Sequence, residues 1–246
     1  SLGLVGSEMC IRDRCVNMPL EDILRGPGHV AWKLIQGVKE DPQNPFEFNE
    51  EQIDCIALQI WPVEQAWRVH LKSQQSPCAT VYTLRKLPND LGLPRILIIG
   101  GGGCGKTTLA LDVLLPLQEA FFGQHGVLRR APSNKPARLV GGRTMHASQG
   151  LTAESSLRTP ALALNAQSRQ KLSLTHIEAG AYYVDEYSQL KADLNNAAAV
   201  RTTDARKSTY QLDMNVYYKP HERYGRIAVL TYSGDHLQLP PVPASS

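Results

Sequence analysis

Arg95-Ile-Leu-Ile-Ile-Gly100-Gly-Gly-Gly-Cys-Gly105-Lys-Thr-Thr108 is the stretch on which the fold turns. Ile96 to Ile99 form a short aliphatic run of strand length, and the glycines after it break the strand. From residue 106 to 122 the chain reads as a helix, with Leu109, Leu114, Leu115 and Leu117 apolar and Pro116 expected to kink it. Strand, glycine-rich turn and helix in that order are the setting in which G-x-x-x-x-G-K-[ST] has physical meaning. Glycines let backbone N–H groups converge on phosphate oxygens, and a helix N-terminus adds partial positive charge. Lys106 would reach the β- and γ-phosphates and the Thr107 hydroxyl would ligate Mg²⁺. Gly100, Gly101, Gly102, Gly103, Cys104, Gly105, Lys106, Thr107 and Thr108 are therefore the candidate residues for ATP. A glycine turn that merely caps a helix leaves the Lys-Thr pair at this offset unexplained.

Outward from that stretch, strand and helix signals alternate. Val127–Ala131, Ala181–Val184 and Arg226–Thr231 read as strands, and 136–140, 161–177 and 189–206 as helices. Residues 73–93 and 207–224 read as polar loops. This alternation predicts an α/β fold with a mostly parallel sheet flanked by helices. The second chemical motif is Tyr182-Tyr-Val-Asp185-Glu186, two carboxylates at the end of an apolar strand. Nucleotides in open parallel sheets sit at the carboxyl ends of the strands. Asp185 would hold Mg²⁺ through water, and Glu186 would orient and deprotonate the attacking water. Without the phosphate loop the same pair would read as solvated carboxylates.

Net charge is +3, with 42% hydrophobic and 20% charged residues, the balance of an ordinary globular chain. That charge is too small to argue a nucleic-acid partner by itself. No apolar run approaches the ~20 residues that span a bilayer, so no membrane partner is expected. Five cysteines without a CxxC pair indicate neither a zinc site nor a disulfide framework and fit a reducing, intracellular compartment, nucleus and mitochondrion included. Residues 4–14 resemble a translated sequencing-library adapter, so residues 1–14 are expected to form an adapter-derived tail in which 4–14 are dispensable and disordered. Residues 15–45 have weak periodicity and end in a proline-rich turn. Residues 46–246 are expected to form one ATP-binding lobe.

Ser233-Gly-Asp235-His-Leu-Gln238-Leu-Pro-Pro-Val242, with the order and spacing of the preceding motifs, resembles the PIF-one-like and RecD-like DNA helicases of superfamily one. The resemblance runs from about Phe48 to Val242. It implies a RecA-like lobe in which Gln238 contacts the γ-phosphate, supported by Asp235, and couples its presence to the DNA path. Asn49-Glu-Glu-Gln52 resembles the family's upstream glutamine motif, in which Gln52 reads the adenine edge. The same residues also fit a plain capping box, with Asn49 as N-cap and Gln52 at the third helical position. Ala131 to Arg138 resembles a motif lining the single-strand groove, with Ser133 and Asn134 where the family usually has threonine and glycine. Gly142 to Gly150 resembles the next, in which Thr144 and His146 face nucleic acid. His146 reads equally as a buried, satisfied histidine, and Arg129-Arg130 as a solvated strand end.

The implied partner is single-stranded or forked DNA, and RNA stays open because no 2′-hydroxyl signature is present. The resemblance also implies a second lobe carrying arginine fingers in the full-length protein. This lobe alone is expected to bind Mg–ATP without unwinding DNA. Two other readings compete. Another phosphate-loop phosphotransferase, such as a small-molecule kinase, would need an arginine-bearing lid and has no use for Gly-Asp-x-x-Gln-Leu-Pro-Pro. A non-catalytic nucleotide-binding module would not need Lys106, Thr107, Asp185 and Glu186 all intact.

Overall fold

The computed structural model describes residues 18–74, 95–151, 166–176, 179–210, 224–225 and 227–237. These divide into two compact units. One runs from residue 18 to 74 and from Gly105 to Val127; the other takes residues 95–104 and everything described from Leu128 on. No described helix is long and apolar enough to cross a membrane.

The first unit is helical. Helices α1 (Leu20–Leu24) and α2 (Pro27–Lys39) arise where the sequence showed only weak periodicity. Val30, Leu34 and Val38 recur every four residues and are buried, which gives α2 its inner face. Asp22 joins the two helices: its carboxylate accepts from Lys33 Nζ at 2.6 Å and contacts His29 Nε2 at 3.0 Å. Those contacts, Lys33 before His29, hold the Asp22 carboxyl below its ordinary pKa.

Helix α3 (Glu50–Gln74) runs through Pro62 without ending there. The expected helix over 106–122 is present as α4 (Lys106–Leu109), a π-helical turn (Ala110–Leu114) and α5 (Leu115–Phe122). Pro116 follows the wide turn. Proline lacks an N–H and its ring crowds the carbonyl four residues back, so widening the ladder there accommodates it. Gln118 Nε2 donates to Gln59 Oε1 at 3.2 Å, and the Phe121 and Trp67 rings meet edge to face, fastening α5 to α3.

The second unit holds a five-stranded sheet in the order β1-β5-β4-β2-β3. Its strands are β1 (Arg95–Ile99), β2 (Val127–Ala131), β3 (Arg143–Thr144), β4 (Ala181–Val184) and β5 (Val229–Gly234). Every pairing whose register is described is parallel. The fold is thus the expected α/β arrangement. Helices α6 (Asn134–Leu139), α7 (Met145–Gln149), α8 (Ala166–His176) and α9 (Ala192–Tyr210) complete the unit. The strand expected at 226–231 is observed at 229–234, because residues 227 and 228 precede the first partners: Arg95 pairs with Leu230 and Ala181 with Val229; residue 226 lies outside the described residues. Residues 161–165 and 211–223 lie outside the described residues.

Tyr182, Val184, Leu194, Ala198, Ile227 and Leu230 belong to one buried apolar cluster between sheet and α9. Beside it lies a polar core that no sequence pattern marks. The buried Arg206 guanidinium donates to the carbonyls of His176, Ala179 and Gly225, tying the end of α8 to the approaches of β4 and β5. Gly225 has φ +62°, and a Cβ there would lie 2.7 Å from Arg206 Cδ. Arg129 and Arg130 correct the solvated-end reading. Arg129 donates to Val140 O at 3.0 Å, and Arg130 is buried with its guanidinium over the Tyr182 ring.

His176 is fully buried, with Nδ1 on Leu172 O at 2.9 Å and Nε2 3.3 Å from Gln149 Nε2. Burial first, then the charge of Arg130, lowers its pKa from 6.5 to about 3. Between those values the unfolded chain takes up a proton that the folded chain refuses. The stabilisation is therefore complete above pH 6.5 and falls as pH drops toward 3, by up to about 1.4 kcal/mol per pH unit. Thermal unfolding followed from pH 7 to 4 should show this decline, and His176→Gln should flatten it. An unchanged slope in the variant would assign the decline to other groups.

Candidate functional site

The phosphate loop leaves β1 and enters α4 as the sequence indicates. Gly103 and Gly105 take left-handed backbone angles, φ +77° and +80°. At Gly101, Gly102 and Gly103 an added Cβ would meet nothing within 4 Å, so one side of the loop is open. Cys104 is exposed. Gly105 is the N-cap of α4, which places Lys106, Thr107 and Thr108 in its first turn, partly exposed. The first N–H groups of any helix point away from its own carbonyls, the usual basis of anion binding at a helix start.

Within the second unit, strand register sets the other groups beside the loop's start. Gly100 N–H donates to Gly234 O at 3.2 Å. Ile99 pairs with Gly234, and Tyr232 with Val184. The parallel strands β1, β5 and β4 therefore end together, and their next residues are Gly100, Asp235 and Asp185. Asp185 is buried, and its N–H donates to Arg130 O at 2.8 Å, which brings the end of β2 alongside. Tyr183 Oη lies 3.5 Å from Asp185 Oδ1, and its phenol pKa is pushed up by burial and then by the Asp185 charge. Asp235 is also buried, and its Oδ1 accepts from Leu237 N–H at 2.9 Å, turning the chain there. Gln238 lies outside the described residues.

Glu186 is partly exposed and left-handed, with φ 52° and ψ 41°. It precedes a single 3₁₀ turn, Tyr187–Gln189. A Cβ on Gly234 would lie 2.6 Å from Tyr187 Cδ1, so the missing side chain at Gly234 is what admits the Tyr187 ring. No sequence motif marks Tyr187 or Gln189.

In the first unit, Asn49 and Gln52 form the reciprocal capping box. Asn49 N–H donates to Gln52 Oε1 and Gln52 N–H to Asn49 Oδ1, each at 2.9 Å. Gln52 is buried, and its Nε2 lies 2.7 Å from the position of a Cβ on Gly105. The capping oxygen thus faces the helix start and the amide nitrogen faces the phosphate loop.

Ser133 and Asn134 are exposed at the N-terminus of α6, just beyond β2. Thr144 ends β3 and caps α7: its Oγ1 accepts from Ala147 N–H at 3.2 Å. His146 is partly buried, and burial followed by the Lys191 charge lowers its pKa. These residues follow β2 and β3, at the other end of the strand order from β1.

The chain is similar in structure to Pif1 helicases. To the enzyme from Candida albicans it has 20% identity and a TM-score of 0.44, covering 62% of this chain and 31% of that one. To Bacteroides Pif1 in complex with ADP-AlF3 and ssDNA the values are 20% and 0.40, over 63% and 31%. A structure of two coordinating Pif1 helicases unwinding forked dsDNA gives 20% and 0.38, over 74% and 35%. This chain thus spans about a third of the length of those structures. No family model and no curated protein matches the sequence.

The close approach at Gly105 yields a stability test. Gly105→Ala would force a side chain into a left-handed site, costing about 1–2 kcal/mol before its collision with Gln52 and Phe46. Denaturant unfolding should show at least that loss, and Gln52→Ala should relieve part of it. Full additivity of the two changes would mean that the side chains do not meet.

Proposed function

We propose that this chain is the ATP-binding lobe of a helicase motor acting on single-stranded or forked DNA. The observation carrying this reading is the shared edge of β1, β5 and β4, where the glycine loop and two buried carboxylates emerge together. A phosphate-binding loop beside an acidic strand end is what Mg–ATP requires. The residues fit the group. One side of the glycine loop is open, and Thr107 in the first unit and Asp185 in the second are each hard oxygen donors of the kind Mg²⁺ takes. Bound there, Mg²⁺ would neutralise phosphate charge.

The remaining work falls to the chain's own groups. Backbone N–H groups of the loop and the Lys106 ammonium would hold the β- and γ-phosphates. Glu186 would take a proton from the attacking water as its oxygen bonds to the γ-phosphorus and the bridging bond to ADP breaks. Gln238 would read the γ-phosphate, and Gln52, turned toward Gly105, would meet the adenine edge. Ser133, Asn134, Thr144 and His146 would contact single-stranded nucleic acid further along the same edge, RNA included among the polymers to compare. Such contacts, made mainly to phosphates, weaken steeply with salt. Strand separation in the whole protein would require a second lobe that opens and closes on ATP.

Calorimetric titration with Mg–ATP tests the nucleotide site. Lys106→Ala should lower affinity at least about tenfold, whereas Glu186→Gln should leave it near the parent value. Equal affinity in a folded Lys106→Ala variant would remove the loop from the account.

A further inference from the structure

Glu186 carries the chemistry in the reading above, and what holds its carboxylate lies three residues on. Residues Tyr187–Gln189 form one 3₁₀ turn, closed by Gln189 N–H on Glu186 O at 3.0 Å and Leu190 N–H on Tyr187 O at 2.8 Å. Glu186 is the left-handed N-cap of this turn and Gln189 is its last residue. Gln189 Nε2 donates to Glu186 Oε2 at 3.3 Å.

The turn is itself pinned. The Tyr187 ring sits on Gly234 at the end of β5 and meets the Tyr232 ring edge on, with centroids 6.3 Å apart. Glu186 adopts a left-handed backbone, uncommon for a residue with a side chain, and such conformations persist where the surroundings over-determine them. A flexible carboxylate is thus drawn to one amide donor by a turn that β5 fixes in place.

We propose that Gln189 is a positioning residue for Glu186, holding one carboxylate oxygen so that the other is directed at the attacking water. This rests on Glu186 acting as the base. Gln189 acts through Glu186, and substituting it changes turnover and leaves nucleotide binding alone.

Single-turnover ATP hydrolysis with Mg²⁺ and the 246-residue chain in excess over ATP tests the assignment as a double-mutant cycle. Two changes are made at the position, Gln189→Ala and Gln189→Met, the second preserving length without the donor. Each should slow hydrolysis about tenfold, with ATP affinity within about twofold of the parent. In a Glu186→Gln background the same changes should alter the rate by less than about twofold. An undiminished effect in that background, a parallel loss of ATP affinity, or no effect in the parent background overturns the assignment while leaving Glu186 as base. Parent-like hydrolysis by Glu186→Gln, or a parent rate no higher than that of Lys106→Ala, removes the base reading and the proposal with it.

Discussion

Strand β5 lies between β1 and β4, and its parallel ladders to both determine which loops share an edge. Parallel pairing makes neighbouring strands end on the same side, so the chemistry at one strand end is delivered beside that of the next. Here the ladders put Gly100 beside the end of β5, and Asp185 and Asp235 on the same edge. A one-residue slip of β5 would exchange its two faces, moving side chains such as Leu230 out of the core. Tyr187 on Gly234 extends the same dependence to Glu186, since the close approach exists only where β5 ends in glycine.

Two groups of residues occupy separate stretches of this carboxyl edge. The loop, Asp185 and Asp235 follow β1, β4 and β5, while Ser133, Asn134 and Thr144 follow or end β2 and β3. Asp185 N–H on Arg130 O joins the two stretches directly. Thr144 has a structural task already, because its hydroxyl caps α7, so any contact with nucleic acid shares that oxygen. Gln52 is likewise divided, its oxygen in the capping box and its nitrogen turned to Gly105.

The parts legible in the sequence were those with local causes. Ile96 to Ile99 before a glycine run, Tyr182 to Val184 before Asp185, and Asn49 with Gln52 each depend on neighbours within a few positions, and each appears where expected. What escaped depends on distant partners. Arg206 looks like a surface residue until the carbonyls of His176 and Ala179, and of the distant Gly225, converge on it. His176 gives no sequence sign that it will be buried beside Gln149, whereas His146, which drew the attention, is only partly covered. The β5 boundaries moved because pairing, and not composition, decides where a strand starts. Gln189 was recoverable from its spacing after Glu186, but only with the tight turn known. Gln238, the residue on which the family resemblance leans most, lies outside the described residues.

Amide hydrogen exchange on the chain with and without Mg–ATP bears most directly on the central claim, because it reports residue by residue where the nucleotide sits. The account predicts slowed exchange at Gly101 to Thr107, where loop and helix N–H groups would bind phosphate. Saturable Mg–ATP binding with that stretch unchanged, and protection appearing elsewhere, would contradict it.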